Sequence, residues 1–148
     1  MNKVYAFLVI IPLIAMLFLK TMAFYDFDTK QRYIKNAVDN VAHKVMITGV
    51  MTAYDSEELM NKLRKIGNFE RESVILKYGY TEQDGALSEL APYTLGNVLD
   101  RGQIFSIYVQ SGNESALSGM EINHTNENNR LFYKAAAVCR VEKYQQQD

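Results

Sequence analysis

Cysteine occurs once in the 148 residues, as Cys139, so an intramolecular disulfide and a cysteine-based zinc site are both excluded. Charge imbalance is missing as well. With 16 basic and 17 acidic residues the formal net charge is -1, too small a field to gather nucleic acid along its backbone. Tryptophan is absent and histidine occurs twice, as His43 and His124, so the usual acid–base and metal-ligand side chains are scarce. The most consequential absence is local: residues 4–19, VYAFLVIIPLIAMLFL, carry no charge at all.

That run sits between Lys3 and Lys20 and is too apolar to be left in water. As a helix rising about 1.5 Å per residue it covers roughly 24 Å, and extension through residues 21–25, with Lys20 snorkelling, brings it to the roughly 30 Å of a bilayer core. Pro12 lies inside it, where loss of a backbone donor and crowding of the Leu8 carbonyl predict a kink that a membrane helix tolerates. A secretory signal is the competing reading, because Met1 to Lys3 make a short positive start and Thr21-Met22-Ala23 resembles a weak cleavage site. Against cleavage stands the helical periodicity, which continues without a break.

Phe27, Ile34, Val38, Val41 and Val45 recur at helical spacing, with Ala23, Ala37 and Ala42 between them and Asp26, Asp28, Lys30, Arg32, Lys35, Asp39 and Lys44 largely on the other side. The spacing predicts one helix of about fifty residues, an apolar anchor over 1–25 continuing into an amphipathic stalk that ends at Gly49. Residues 26–148 then form one small domain outside the membrane. A second helix is expected over 56–66, capped by Asp55 or Ser56 with Glu58 completing a capping box and Leu59, Met60, Leu63 and Ile66 as its apolar stripe.

Beyond Gly67 the period changes to two. Residues 72–80 alternate through Val74, Leu76, Tyr78 and Tyr80, with Ile75 as an apolar exception on the outer face, and 103–110 through Phe105, Ile107 and Val109. Residues 81–102 read as a long connection holding a turn of helix at 86–90, and 111–130 as an exposed polar loop. The last strand is expected over 131–144. Its odd face, Leu131, Tyr133, Ala135, Ala137, Cys139 and Val141, has small residues at its centre, which predicts that the stalk lies close across it, on Tyr133, Ala135, Ala137 and Cys139. The fold class is therefore α+β, a long N-terminal helix packed on a small antiparallel sheet.

An apolar helix with an internal proline that continues into an amphipathic stalk, AFLVIIPLIAMLFLKTMAFYDFDTKQRYIKNAVDNVAHKVMITG, followed by a short capped helix and a small sheet, resembles the type IV pilin-like proteins. In layout it looks most like the TadE-like pseudopilins and related small membrane-anchored proteins of Gram-positive mobile elements, with Pro12, Ala37, Val38 and Ala42 where that family places proline and small apolar residues. The resemblance implies a structural subunit of a surface filament or secretion pseudopilus, with copies of itself or other pilin-like subunits as partners. Helix-to-helix assembly would then run through Ala6, Leu8, Pro12, Ala15 and Leu19. Tyr5 stands where many members carry an acidic residue, so the pairing of that carboxylate with a neighbour's amino terminus is not available.

The alternative is a single-pass anchored interaction domain that does not polymerise. Neither reading calls for a cofactor, a metal, nucleic acid or a small-molecule substrate. A dyad of Cys139 with a histidine, and a cation held by His124 with Glu121, are the enzymatic and metal-binding candidates, and both are weak patterns. The acceptor patterns at Asn113 and Asn123 arise often by chance in polar loops. Tyr54, Tyr78, Tyr80, Tyr93, Tyr108, Tyr133 and Tyr144 are read first as the half-buried rim of a small sheet and second as a partner-binding patch.

Overall fold

A computed structural model describes residues 2–81, 88–120 and 130–143, the side chains of Asn2, Lys3 and Ala6 excepted. Helix α1 (Asn2–Thr48) runs 47 residues with Pro12 inside it and no interruption. It stops where glycine allows it to. Gly49 takes φ 73°, a left-handed value favourable only without a side chain, and its carbonyl accepts a 2.7 Å bond from the Leu99 N–H. A Cβ there would stand 2.8 Å from the Leu99 carbonyl oxygen, so both conformation and space demand glycine.

Helix α2 (Ala53–Arg64) begins earlier than the sequence suggests. Its cap is Thr52, whose hydroxyl accepts the Asp55 N–H at 3.2 Å while the Asp55 carboxylate accepts the Thr52 N–H at 3.0 Å, a reciprocal capping box. The expected box from Asp55 to Glu58 does not form, because Asp55 already holds the third helical position and Glu58 instead pairs with Lys62 one turn on, at 2.7 Å. Asp55 is only 4 % exposed and also receives the Lys44 ammonium of α1, so one carboxylate caps α2 and ties it to α1. Burial alone would raise the Asp55 pKa, but the hydrogen bonds from Lys44 and Thr52 outweigh it and hold the carboxyl below its usual value.

The sheet is antiparallel throughout, in the order β2-β1-β3-β4, from β1 (Val74–Gly79), β2 (Ala91–Pro92), β3 (Ile104–Glu114) and β4 (Phe132–Arg140). Together with α1 and α2 it makes an α+β architecture. Inward side chains alternate as the period of two requires: Phe105, Ile107 and Val109 of β3 are fully buried, Val74, Leu76 and Tyr78 of β1 are half-buried, and Ile75 faces out. From α1 they meet Ile34, Ala37, Val38, Ala42 and Val45, and from α2 Leu59, Met60 and Leu63. Phe27 and Val41 border this core rather than fill it.

Three expectations about the connections are corrected. The helical turn at 86–90 is absent at 88–90, while 86 and 87 lie outside the described residues; Ala91 and Pro92 instead pair with Tyr78 and Lys77 as an edge strand, where proline's missing donor costs nothing. The polar stretch after Gln110 is no exposed loop at its start, since β3 continues through an irregularity to Glu114 and a short helix α3 (Ala116–Gly119) follows. Its serines find partners within the fold: Ser118 Oγ donates to Glu114 at 2.7 Å and accepts the Leu131 N–H at 3.1 Å, and the Ser115 N–H bonds the Leu131 carbonyl at 2.8 Å. Those bonds pull Leu131 out of the strand and leave it 37 % exposed, so β4 starts at Phe132, and it ends at Arg140 rather than 144.

Ala135 is buried toward α1, and its neighbour Ala136 is exposed on the opposite face. Ala135→Phe is therefore expected to overpack the core and cost about 1–3 kcal/mol, while Ala136→Phe stays within about 0.5 kcal/mol, read as thermal midpoints of the full chain in detergent. The opposite ranking would place the register one residue out. Asp55 predicts an acid limb: its folded pKa lies below the unfolded value of about 3.9, so its stabilisation is complete above that value and disappears as pH falls through the folded one. In melts across pH 2–7, roughly the window set by those values, Asp55→Asn should be less stable than the native chain at neutral pH and lose less on acidification; parallel curves would contradict the assignment.

Candidate functional site

The first half of α1 has no counterpart in the rest of the fold. None of the large apolar side chains of residues 4–25 is less than 49 % exposed, and they point to every side of the helix. Such a segment is long and apolar enough to cross a membrane. From Tyr5 to Tyr25 it measures about 30 Å at the helical rise, the thickness of a hydrocarbon layer, with a tyrosine at each end of that length. Lys20 lies within it, and Thr21 returns its hydroxyl to the Leu17 carbonyl at 2.8 Å, which hides a polar group that hydrocarbon would penalise.

Leu8, Pro12, Ala15 and Leu19 are all exposed and follow one another at four, three and four residues, a single stripe down the helix. Ala6 is part of α1, but its side chain lies outside the described residues. On the sheet, Tyr133 and Ala135 are buried and Ala137 and Cys139 half-buried, all bordering the core that α1 completes. The approach there is close. Cys139 Sγ donates to the Ala42 carbonyl at 3.2 Å, a helix backbone in contact with a strand side chain, and Tyr133 stacks on Phe27 with ring centroids 5.3 Å apart.

Two clamps between α1 and the sheet carry no sequence signature. The Gln31 amide donates to the Lys134 carbonyl and accepts the Lys134 N–H at 3.3 Å, imitating a neighbouring strand at the free edge of β4. The Glu142 N–H likewise donates to the Met46 carbonyl, at 2.8 Å. Tyr93, which the sequence placed on a rim, is a core residue: its hydroxyl accepts the Met51 N–H at 3.0 Å and donates to the Asn97 carbonyl at 2.5 Å, while its ring meets Phe105 edge-on. Tyr133 is buried too, Tyr78 and Tyr108 are half-buried, Tyr54 and Tyr80 are exposed, and Tyr144 lies outside the described residues. Among the described residues these tyrosines thus divide between core, border and surface.

His43 is exposed on α1, and His124 and Glu121 lie outside the described residues. Among the described residues no group of three or more His, Cys, Asp or Glu side chains is placed to hold a metal ion. Burial pushes the Cys139 thiol up to about 11, so at neutral pH it is a protonated packing group rather than a nucleophile. Its alkylation by iodoacetamide at pH 7.5 is accordingly expected to run roughly a hundredfold slower than that of a free cysteine, and to reach the free rate in denaturant. A native chain that reacts like free cysteine would show the site to be open.

Protein-family models, curated proteins and solved structures were each compared with the chain, and none matches it.

Proposed function

We propose that the chain is a structural subunit, a pilin or minor pseudopilin, of a type IV pilus-like surface filament or secretion pseudopilus. In this reading residues 1–25 hold it in the cell membrane as a single pass, with the C-terminal domain outside. The observation that carries the proposal is the two-part character of α1, one continuous helix that is uncharged and apolar on every side over residues 4–19 and one-sided over 27–45. A segment apolar all round needs an apolar environment all round, which a bilayer supplies first and the packed helices of a filament core supply afterwards. The partners are then copies of itself or other pilin-like subunits. No cofactor or substrate takes part.

The anchored interaction domain remains the second reading, since the same exposed surface is satisfied by lipid alone. The two differ in what the small side chains of the run do. Helices in an apolar medium associate by shape, and Ala6 and Ala15 are the small side chains of residues 4–19.

Replacing both, Ala6→Leu with Ala15→Leu, keeps the segment fully apolar while filling any close contact. The double variant of a filament subunit should be recovered from membranes at the native level and be lost from crosslinked multimers and from sheared surface filaments. Equal recovery of variant and native chain in both fractions would remove the close-packed assembly, and a native chain found nowhere outside the membrane would leave the anchored domain.

A further inference from the structure

Packing on α1 begins immediately above the apolar segment. Counted from Tyr25, Phe27 lies about 3 Å and Gln31 about 9 Å further along the helix. Phe27 already stacks on Tyr133, and Gln31 already holds both backbone groups of Lys134. Ala23, on the apolar side of Tyr25, is itself half-buried. Neither glycine nor proline occurs between residues 13 and 48, so no hinge separates the segment from the domain. The polar layer of a bilayer is about 5–8 Å deep on each side. With residues 5–25 filling the hydrocarbon, the end of the domain that meets α1 at Phe27 stands inside that layer.

That end is built from the two sides of the β3–β4 connection. Leu131 is fixed by Ser115 and Ser118, and Met120 follows α3, which packs against α1. They are 37 % and 41 % exposed. Arg130 holds its guanidinium by Glu114 at 3.1 Å, and a cleft of about 290 Å³ is lined by Phe27, Leu131 and Phe132, by Arg130 and Lys134, and by the amides of Gln31 and Gln110. Apolar side chains with cations beside them are the chemistry of a phospholipid boundary, where acyl carbons give way to phosphate within a few ångströms.

We propose that this end of the domain is a lipid-binding surface, with Leu131 and Met120 among the headgroups and Arg130 and Lys134 facing the phosphates of the phospholipids around α1. The proposal rests on the reading of residues 4–25 as a membrane segment, and the test keeps the two apart. The domain is then docked on the bilayer, not held above it on a stalk.

The full chain, with Cys139→Ala, is reconstituted in vesicles of mixed zwitterionic and anionic phospholipid and spin-labelled at one new cysteine at a time: Ile14, Met120, Leu131 or Val98. Val98 is the distant control, since it pairs with Val50 beyond the far end of α1, and that end at Thr48 is about 35 Å along the helix from Tyr25. Nickel chelated on lipid headgroups should relax labels at 120 and 131 several-fold more than at 98, and dissolved oxygen should relax the label at 14 most. Labels at both 120 and 131 relaxed no more than at 98, with the label at 14 in hydrocarbon, would overturn the surface and leave the anchor standing. A label at 14 accessible to water-soluble nickel would overturn both.

Discussion

A hydrogen-bonded helix keeps its direction when its surroundings change, and α1 passes from a stretch whose apolar side chains are all exposed to one that packs a single apolar side on the sheet without losing a turn. Every other element is placed by that continuity. The exposed segment and the packed segment belong to one unbroken helix, so the orientation of the sheet relative to the residues just before Phe27 is fixed by side-chain packing on 27–46 and not by a loop. No loop joins the domain to the exposed segment.

How closely the sheet can follow that axis depends on volume. Ala37 and Ala42 on the helix meet Ala135, Ala137 and Cys139 on β4 in one core, and the Cys139 sulfur reaches the helix backbone itself. Larger residues at these sites would lift α1 off the strand and break the two clamps at its ends, Gln31 on Lys134 and Met46 on Glu142. Helix α2 is held by a different force. Its buried Asp55 satisfies Thr52 and Lys44 together, a charged link whose cost of burial is offset only while all three partners are in place.

The long helix and the facing of Val74, Leu76, Phe105, Ile107 and Val109 were legible because each rests on period alone, and the end at Gly49 because only glycine takes the left-handed turn there at no cost. The errors arose where hydrogen bonding competed with pattern. Val50, Met51 and Thr52 read only as the break after the stalk, yet the Thr52 hydroxyl caps α2, which starts three residues before the expected 56. Ser111, Ser115 and Ser118 read as solvent-loving, yet they are buried because each finds a partner within the fold, and only tertiary placement reveals those partners. Gln31 is the hardest case, since a glutamine on a helix flank predicts nothing about a strand more than a hundred residues away. Of the apolar segment, hydropathy conveys the environment, while the stripe of Leu8, Pro12, Ala15 and Leu19 is only a geometric consequence of spacing.

The order in which these pieces leave the ribosome has its own consequence. The clamp from Gln31 to Lys134 and the contact of Cys139 with Ala42 join positions 103 and 97 residues apart, the first-made element to the last. Ile34, Val38 and Val45 therefore have no complete cover until β4 has been synthesised and has closed against β3. Folding of high contact order is slow, and an open apolar face in that interval invites a chaperone or aggregation. For this chain the late step is closure of its C-terminal strand, so a ribosome stalled before residue 132 leaves the helix without the strand that completes its cover.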